Sequence, residues 1–517
     1  MGMICGVVIS VIGAVLVIVI SSVGYAVIPG IVERSIINEI TLINDTIQLE
    51  RFMTVPFPLN FTVRLWNITN RDEVLAGAVP VMTEAGPYIY KLHQQRIIDE
   101  LDESNITYRI LNHFEFDPIA SYPNTEDDIV TMINIPYHAI IQVAETLFPG
   151  STITQLLNPF LGSVFGEFNT PIAPFRVRDV LFDGIPICQS SGIPAATICQ
   201  LIRSMSDDTQ NMEPQQDGSL LFSLVGYRNG NPSHTYVASR GLDDHADLGR
   251  IFLYNNLTSL RFWKDPEGEI GGGGVCNMIN GTDSGIFAPF LTEDTILYAL
   301  NTDICRSVKL QYQQDSEYEG IPTMRFAANE WFLNNDDGCF CLNMTHGINQ
   351  ENGCLLHGAI ELFTCTGAYM VLTNPHFLFA DIRYRNGVIG MTPNVDQHRI
   401  FLDLEPNTGI LVRGAKRAQF NVFMRSVAGI TATQNLRTTL TPIFWVEEGM
   451  SLPEKYVDEI KSNLLSSLNL IRILVPVLIA VSTLILVIGL AVIVIVKMRM
   501  SKEQPITMPV TRPAFTT

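Results

Sequence analysis

The chain has 517 residues, 47% of them hydrophobic and 16% charged, and a formal net charge of −19. Such an acidic balance excludes nucleic acid and other polyanions as partners of the whole surface, and so apolar a composition is not that of a disordered chain. Length alone allows one elaborate domain or two.

Residues 3–28 carry no charged side chain. They exceed the ~20 apolar residues a helix needs to cross a bilayer, and read as a transmembrane helix. A cleaved signal peptide competes, since Gly24 and Ala26 suit a cleavage rule. But a signal has only ~7–15 apolar residues behind a basic start, and residues 1–5 hold no Lys or Arg. Cys5 stands at the start of the segment, where cysteines are typical sites of S-acylation, and is a candidate lipidation site. Gly6, Ser10 and Ala14 recur every four residues, a spacing that lets membrane helices approach closely.

All seven Asn-x-Ser/Thr sequons follow: Asn44, Asn60, Asn67, Asn105, Asn256, Asn280 and Asn343. Eight of the nine cysteines follow too. Sequons and dense cysteines both belong to the secretory side of a membrane. A second uncharged segment covers residues 473–496, and Lys497, Arg499 and Lys502 come directly after it, the positive-inside pattern of a cytosolic tail. The expected organisation is a cytosolic stub (1–2), a transmembrane helix (3–28), a glycosylated, disulfide-bonded ectodomain (29–472), a second transmembrane helix (473–496) and a cytosolic tail (497–517). Both termini are then cytosolic and the protein sits in the plasma membrane. The tail holds four basic residues and one acidic, so residues 30–472 carry a net −22.

Within that region the class is α+β. Residues 61–66, 87–90 and 401–404 alternate as strands do, with turns at Asn229-Gly230 and at residues 407–409. Residues 131–166 hold a single charge, Glu145. Apolar residues recur there at spacings of three and four, which predicts two amphipathic helices broken at Pro149-Gly150. They read either as core helices or as an exposed apolar cap, with Leu156, Leu157, Phe160 and Leu161 the candidate ligand entrance. Further on, Cys276, Cys305, Cys339, Cys341, Cys354 and Cys365 fall within 90 residues, apart from Cys188 and Cys199. They read as a disulfide framework rather than a zinc site, because Cys339 and Cys341 are too close to be first ligands and no paired CxxC follows. Spacing leaves the connectivity open.

The stretches 66–70 (WNITN), 73–77 (EVLAG), 84–90 (EAGPYIY), 398–406 (HRIFLDLEP) and 415–417 (AKR) resemble the class B scavenger receptor family. Residues 177–185, 280–283 and 303–307, with the Cys188/Cys199 pair, resemble its branch of insect sensory neuron membrane proteins. The resemblance implies a large antiparallel β-barrel with an apical helical bundle, residues 131–166, and an internal apolar tunnel. It also implies the pairings Cys276–Cys339, Cys305–Cys365 and Cys341–Cys354, alongside Cys188–Cys199. Fatty-acid-binding members carry lysines in the bundle, whereas this chain has no Lys or Arg between Arg109 and Arg176. A neutral ligand fits better, since nothing at the apex would compensate a buried carboxylate.

No His-Glu-x-x-His, Gly-x-Ser-x-Gly or phosphate-loop pattern occurs. Asp283-Ser284-Gly285 lacks a second carboxylate partner at Asn407-Thr408-Gly409. No catalytic or metal site and no cofactor is expected. The resemblance implies a co-receptor that binds a hydrophobic odorant or pheromone and conducts it to a receptor channel. Its partners would be an odorant receptor channel and odorant-binding proteins, and its place the sensory neuron dendrite. A scavenger or adhesion receptor for lipid-bearing particles is the alternative.

Overall fold

The computed structural model describes residues 2–147, 151–189, 193–206, 209–265, 267–335 and 338–502. It divides into two compact units, Met1–Glu39 with Glu454–Thr517, and Ile40–Pro453.

The first unit is helical. Helix Gly2–Ser22 continues through a π-turn, Val23–Val27, into Ile28–Ile40, and Glu454–Ile460 continues through Lys461–Leu465 into Ser466–Lys502. Both composite helices are long and apolar enough to cross a membrane. They pack on each other through small residues. Gly6, Ser10 and Gly13 are buried on one, and Val475, Ser482 and Gly489 on the other. A Cβ at Gly13 would stand 2.5 Å from the backbone nitrogen of Leu486, and one at Gly489 2.5 Å from that of Ser10. Any larger residue would hold the backbones apart. Ala14 is only half-buried. The seam therefore uses Gly13 in its place, at the seven-residue spacing of a coiled-coil contact.

The second unit is built on strands. β1 (Leu59–Ile68), β2 (Met82–Leu101) and β3 (Asn105–Phe116) lead into a ribbon of β4 (Ile129–Ile133) and β5 (Ile172–Arg176). β6 (Ile185–Ile187), β7 (Met212–Pro214) and β8 (Leu220–Phe222) form a small sheet in the order β6–β8–β7. Then come β9 (Tyr236–Ser239), β10 (Ile251–Tyr254), β11 (Ile296–Asn301), β12 (Arg306–Tyr318) and β13 (Ile321–Ala327). The last are β14 (Ala359–Glu361), β15 (Val371–Thr373), β16 (Phe401–Leu404), β17 (Leu411–Met424) and β18 (Thr439–Ser451). Thirteen strands join in one antiparallel sheet, in the order β10–β9–β3–β2–β1–β18–β17–β16–β13–β12–β11, with β15 added on β17 and β14 on β15. The central strands β1 and β18 are buried along most of both faces, as apolar runs such as Leu440–Trp445 require.

The expected closed barrel is not found among the described residues. The ladder ends at β10 on one side and β11 on the other. A two-residue link spans the gap. Gly281 accepts a hydrogen bond from Ile251 N–H (2.9 Å), while Thr282 donates to Tyr298 O (3.2 Å) and accepts from Leu300 N–H (2.8 Å). Gly281 has φ +76°, and a Cβ there would lie 1.8 Å from Tyr298 O. Only glycine meets both conditions. The sheet thus curls until its edges are joined through a loop rather than a ladder.

Residues 131–166 are not a simple helix pair. The segment opens inside β4 and continues as helices Ile135–Leu147 and Ser151–Leu157, a 3-10 turn Asn158–Phe160 and helix Leu161–Phe165. Pro149 and Gly150 lie outside the described residues. Pro159 adds a break within the second half, since proline fits the first turn of a helical piece but not its interior. A further helix, Ile193–Ser206, was not anticipated from the sequence.

Candidate functional site: an interior cavity

A cavity of about 460 Å³ lies inside the second unit. Its walls come from across the curled sheet: Phe61 of β1, Ile110 of β3, Leu310 of β12, Leu402 of β16, Phe420 of β17 and Phe444 of β18. That strands from both ends of the sheet face one space is a direct consequence of the curl. Most lining residues are buried, and only Gln210, Asn231, Pro232 and His234 are exposed. These four mark where the cavity reaches the surface.

One part of the wall is charged. Arg228 lies 3.1 Å from Asp303 and 4.0 Å from Glu448, and Lys416 Nζ donates to Glu448 at 2.6 Å. Arg417 donates to Glu447 at 2.6 Å. Asp283 accepts from the buried Arg96 (2.7 Å) and from Tyr108 Oη (3.0 Å). Burial works against the Glu448 carboxylate, but Lys416 and Arg228 hold its pKa below the ordinary value. Tyr227, Tyr236 and Tyr254 also line the space. Burial raises all three phenols, Tyr254 to about 12, so they remain protonated donors.

Of the candidate entrance residues, Leu161 is 3% exposed and packs in the main core, whereas Leu156 is 59% exposed. Leu157 and Phe160 are half-buried. None of the four lines the cavity. Glu145, the single charge of the segment, is paired with Arg425. Disulfides join Cys188 to Cys199, Cys276 to Cys339, Cys305 to Cys365 and Cys341 to Cys354. Cys5 is a free, exposed thiol. Among the sequons Asn44, Asn60, Asn256 and Asn343 are exposed, while Asn67, Asn105 and Asn280 are half-buried. Among the described residues, no group of three or more His, Cys, Asp or Glu side chains is placed to hold a metal.

The family motifs turn out to carry the polar interior. Glu84 accepts from Trp445 Nε1 at 2.6 Å and lies 2.8 Å from His376 Nε2. Asp403, fully buried, is gripped by Arg325 and Arg413 at 2.7 Å each. Glu405 accepts from Thr408 N–H at 2.8 Å and closes the turn after β16.

The chain is 33% identical to sensory neuron membrane protein 2 of Drosophila melanogaster, over 87% of its own length and 90% of that protein. It is 33% identical to sensory neuron membrane protein 2 of Aedes aegypti, over 88% and 93%. Against sensory neuron membrane protein 1 of Apis mellifera the identity is 30%, over 84% and 81%. The CD36 family matches residues 11–493, all but the ends of the chain, and the chain belongs to that family.

Proposed function

We propose that this protein is a plasma-membrane co-receptor of sensory neurons that takes a hydrophobic odorant or pheromone into the interior cavity and passes it to a receptor channel. The observation that carries this reading is the cavity itself, a mainly apolar space among the strands. Burial of each methylene there contributes about 0.8 kcal/mol, which favours long-chain ligands. In this reading the cavity is the enclosed part of a tunnel, and residues 131–166 form a helical bundle that lines none of its described wall. Residues 3–28 and 473–496 span the membrane, residues 29–472 form the glycosylated ectodomain, and residues 1–2 and 497–517 are cytosolic. An odorant receptor channel and odorant-binding proteins are its partners in the dendrite. The test is native mass spectrometry of the purified full chain. A co-purified apolar molecule, lost when Ala299 or Ala418 of the wall is enlarged to Phe, supports the reading. A chain that never carries one, even after incubation with long-chain alcohol, contradicts it.

A further inference from the structure

The charged part of the cavity wall points to the kind of head group the ligand carries. The cations lining the space are Arg228, Lys416 and Arg417, and the anions are Asp283, Asp303 and Glu448. Each has a partner within the protein. Arg228 faces Asp303 and Glu448, Lys416 holds Glu448, Arg417 holds Glu447, and Asp283 is held by Arg96. With the partners Arg96 and Glu447 the set is four cations and four anions, so the wall is charged locally and neutral in sum. Beside it stand the Tyr227, Tyr236 and Tyr254 phenols. Tyr236 Oη makes a long bond to Thr302 Oγ1 (3.5 Å), so turning a phenol toward a carbonyl or hydroxyl oxygen disturbs no ion pair.

We infer that the cavity selects uncharged amphiphiles — long-chain alcohols, aldehydes or esters — over the matching carboxylates. This rests on the cavity being the ligand site. Among the described wall residues, an entering carboxylate meets no Lys or Arg whose charge is not already met. It must stay uncompensated or displace Asp303 or Glu448 from a guanidinium or ammonium, and either course strands a buried charge. A hydroxyl or carbonyl needs only one donor, which a phenol supplies.

The experiment is native mass spectrometry of the full chain in detergent, incubated with equimolar hexadecan-1-ol and palmitate. Wild type should carry the alcohol over the acid by about tenfold or more, the effect of one buried, unpaired charge. Asp303→Asn leaves Arg228 with only the more distant Glu448 and should shift the ratio toward palmitate by about tenfold. Adding Arg228→Gln to Asp303→Asn removes that cation and should restore the preference for alcohol. This double variant separates a change of charge from damage to the cavity. Equal binding of acid and alcohol by wild type, or a ratio unmoved by Asp303→Asn, overturns the inference and leaves the ligand site standing. Binding of neither molecule overturns both.

Discussion

At the residue scale, two histidines set a pH dependence. Burial pushes His138 and His398 down to about 4, with Arg425 near the first and His376 near the second opposing a positive charge. His398 also feels Glu84, which favours its charge, and Arg417 and Arg64, which do not. Its Nδ1 accepts Asn394 N–H at 3.0 Å, and His138 Nε2 lies 3.1 Å from Pro171 O. Both rings are neutral in the fold and protonate near 6.5 when unfolded. The unfolded chain therefore binds more protons between about 4 and 6.5, and stability falls as pH drops through that window. Each histidine contributes a slope approaching ~1.4 kcal/mol per pH unit. Melting curves of the full chain from pH 7 to 5 should show Tm falling, and replacing both residues by Gln should flatten the trend. A Tm that rises on acidification contradicts it. Gly281 makes a sharper case. Gly281→Ala should cost on the order of 2–4 kcal/mol and hold the protein in the secretory pathway with immature glycans. Gly230 also has positive φ but nothing within 4 Å of a Cβ. Gly230→Ala carries the strain alone, about 1 kcal/mol, and should mature.

At the scale of elements, the helix pair and the 131–166 segment each yield a test. A leucine at Gly13 or Gly489 would meet the opposite backbone, so either change should part the two long apolar helices. Gly2 and Val496 approach to 3.3 Å at the position of a Gly2 Cβ. Cysteines placed at both should cross-link on oxidation, and Gly13→Leu should abolish that product. An unchanged cross-link would argue against the packing. In the 131–166 segment exposure separates two neighbouring leucines. Leu156→Asp should reach the cell surface with mature glycans, since a charge there stays in water. Leu161→Asp buries an unpaired carboxylate in the core and should be retained. Equal fates for the two would mean that this segment packs differently.

At the scale of the molecule, local pattern announced what local physics decides. Two uncharged stretches gave the two long apolar helices, and alternation gave β1, β2 and β16 in part. The family motifs were visible too, although their work was not. Glu84, Asp403 and Glu405 act by meeting His376, Arg325 and Thr408, and only the last of these partners is close in sequence. The open sheet was illegible because its edges meet through residues 281–282 with Ile251 and Tyr298, an arrangement set by long-range pairing. The cavity was illegible for the same reason, for its walls run from Phe61 to Glu448. The small-residue seam departs from the expected Gly6, Ser10 and Ala14 by using Gly13, because the packed pair repeats at seven residues rather than at steps of four.

The cavity's role as the site of a hydrophobic ligand is open to direct measurement. The most direct measurement is equilibrium binding of radiolabelled hexadecan-1-ol to the full chain in nanodiscs, for wild type and for Ala418→Phe, which fills the space from β17. Corrected for partition into empty nanodiscs, binding should be saturable in wild type and weaker by about tenfold or more in the variant at comparable Tm, as expected when several buried methylenes lose their site. Undiminished binding to a folded Ala418→Phe chain would contradict the account.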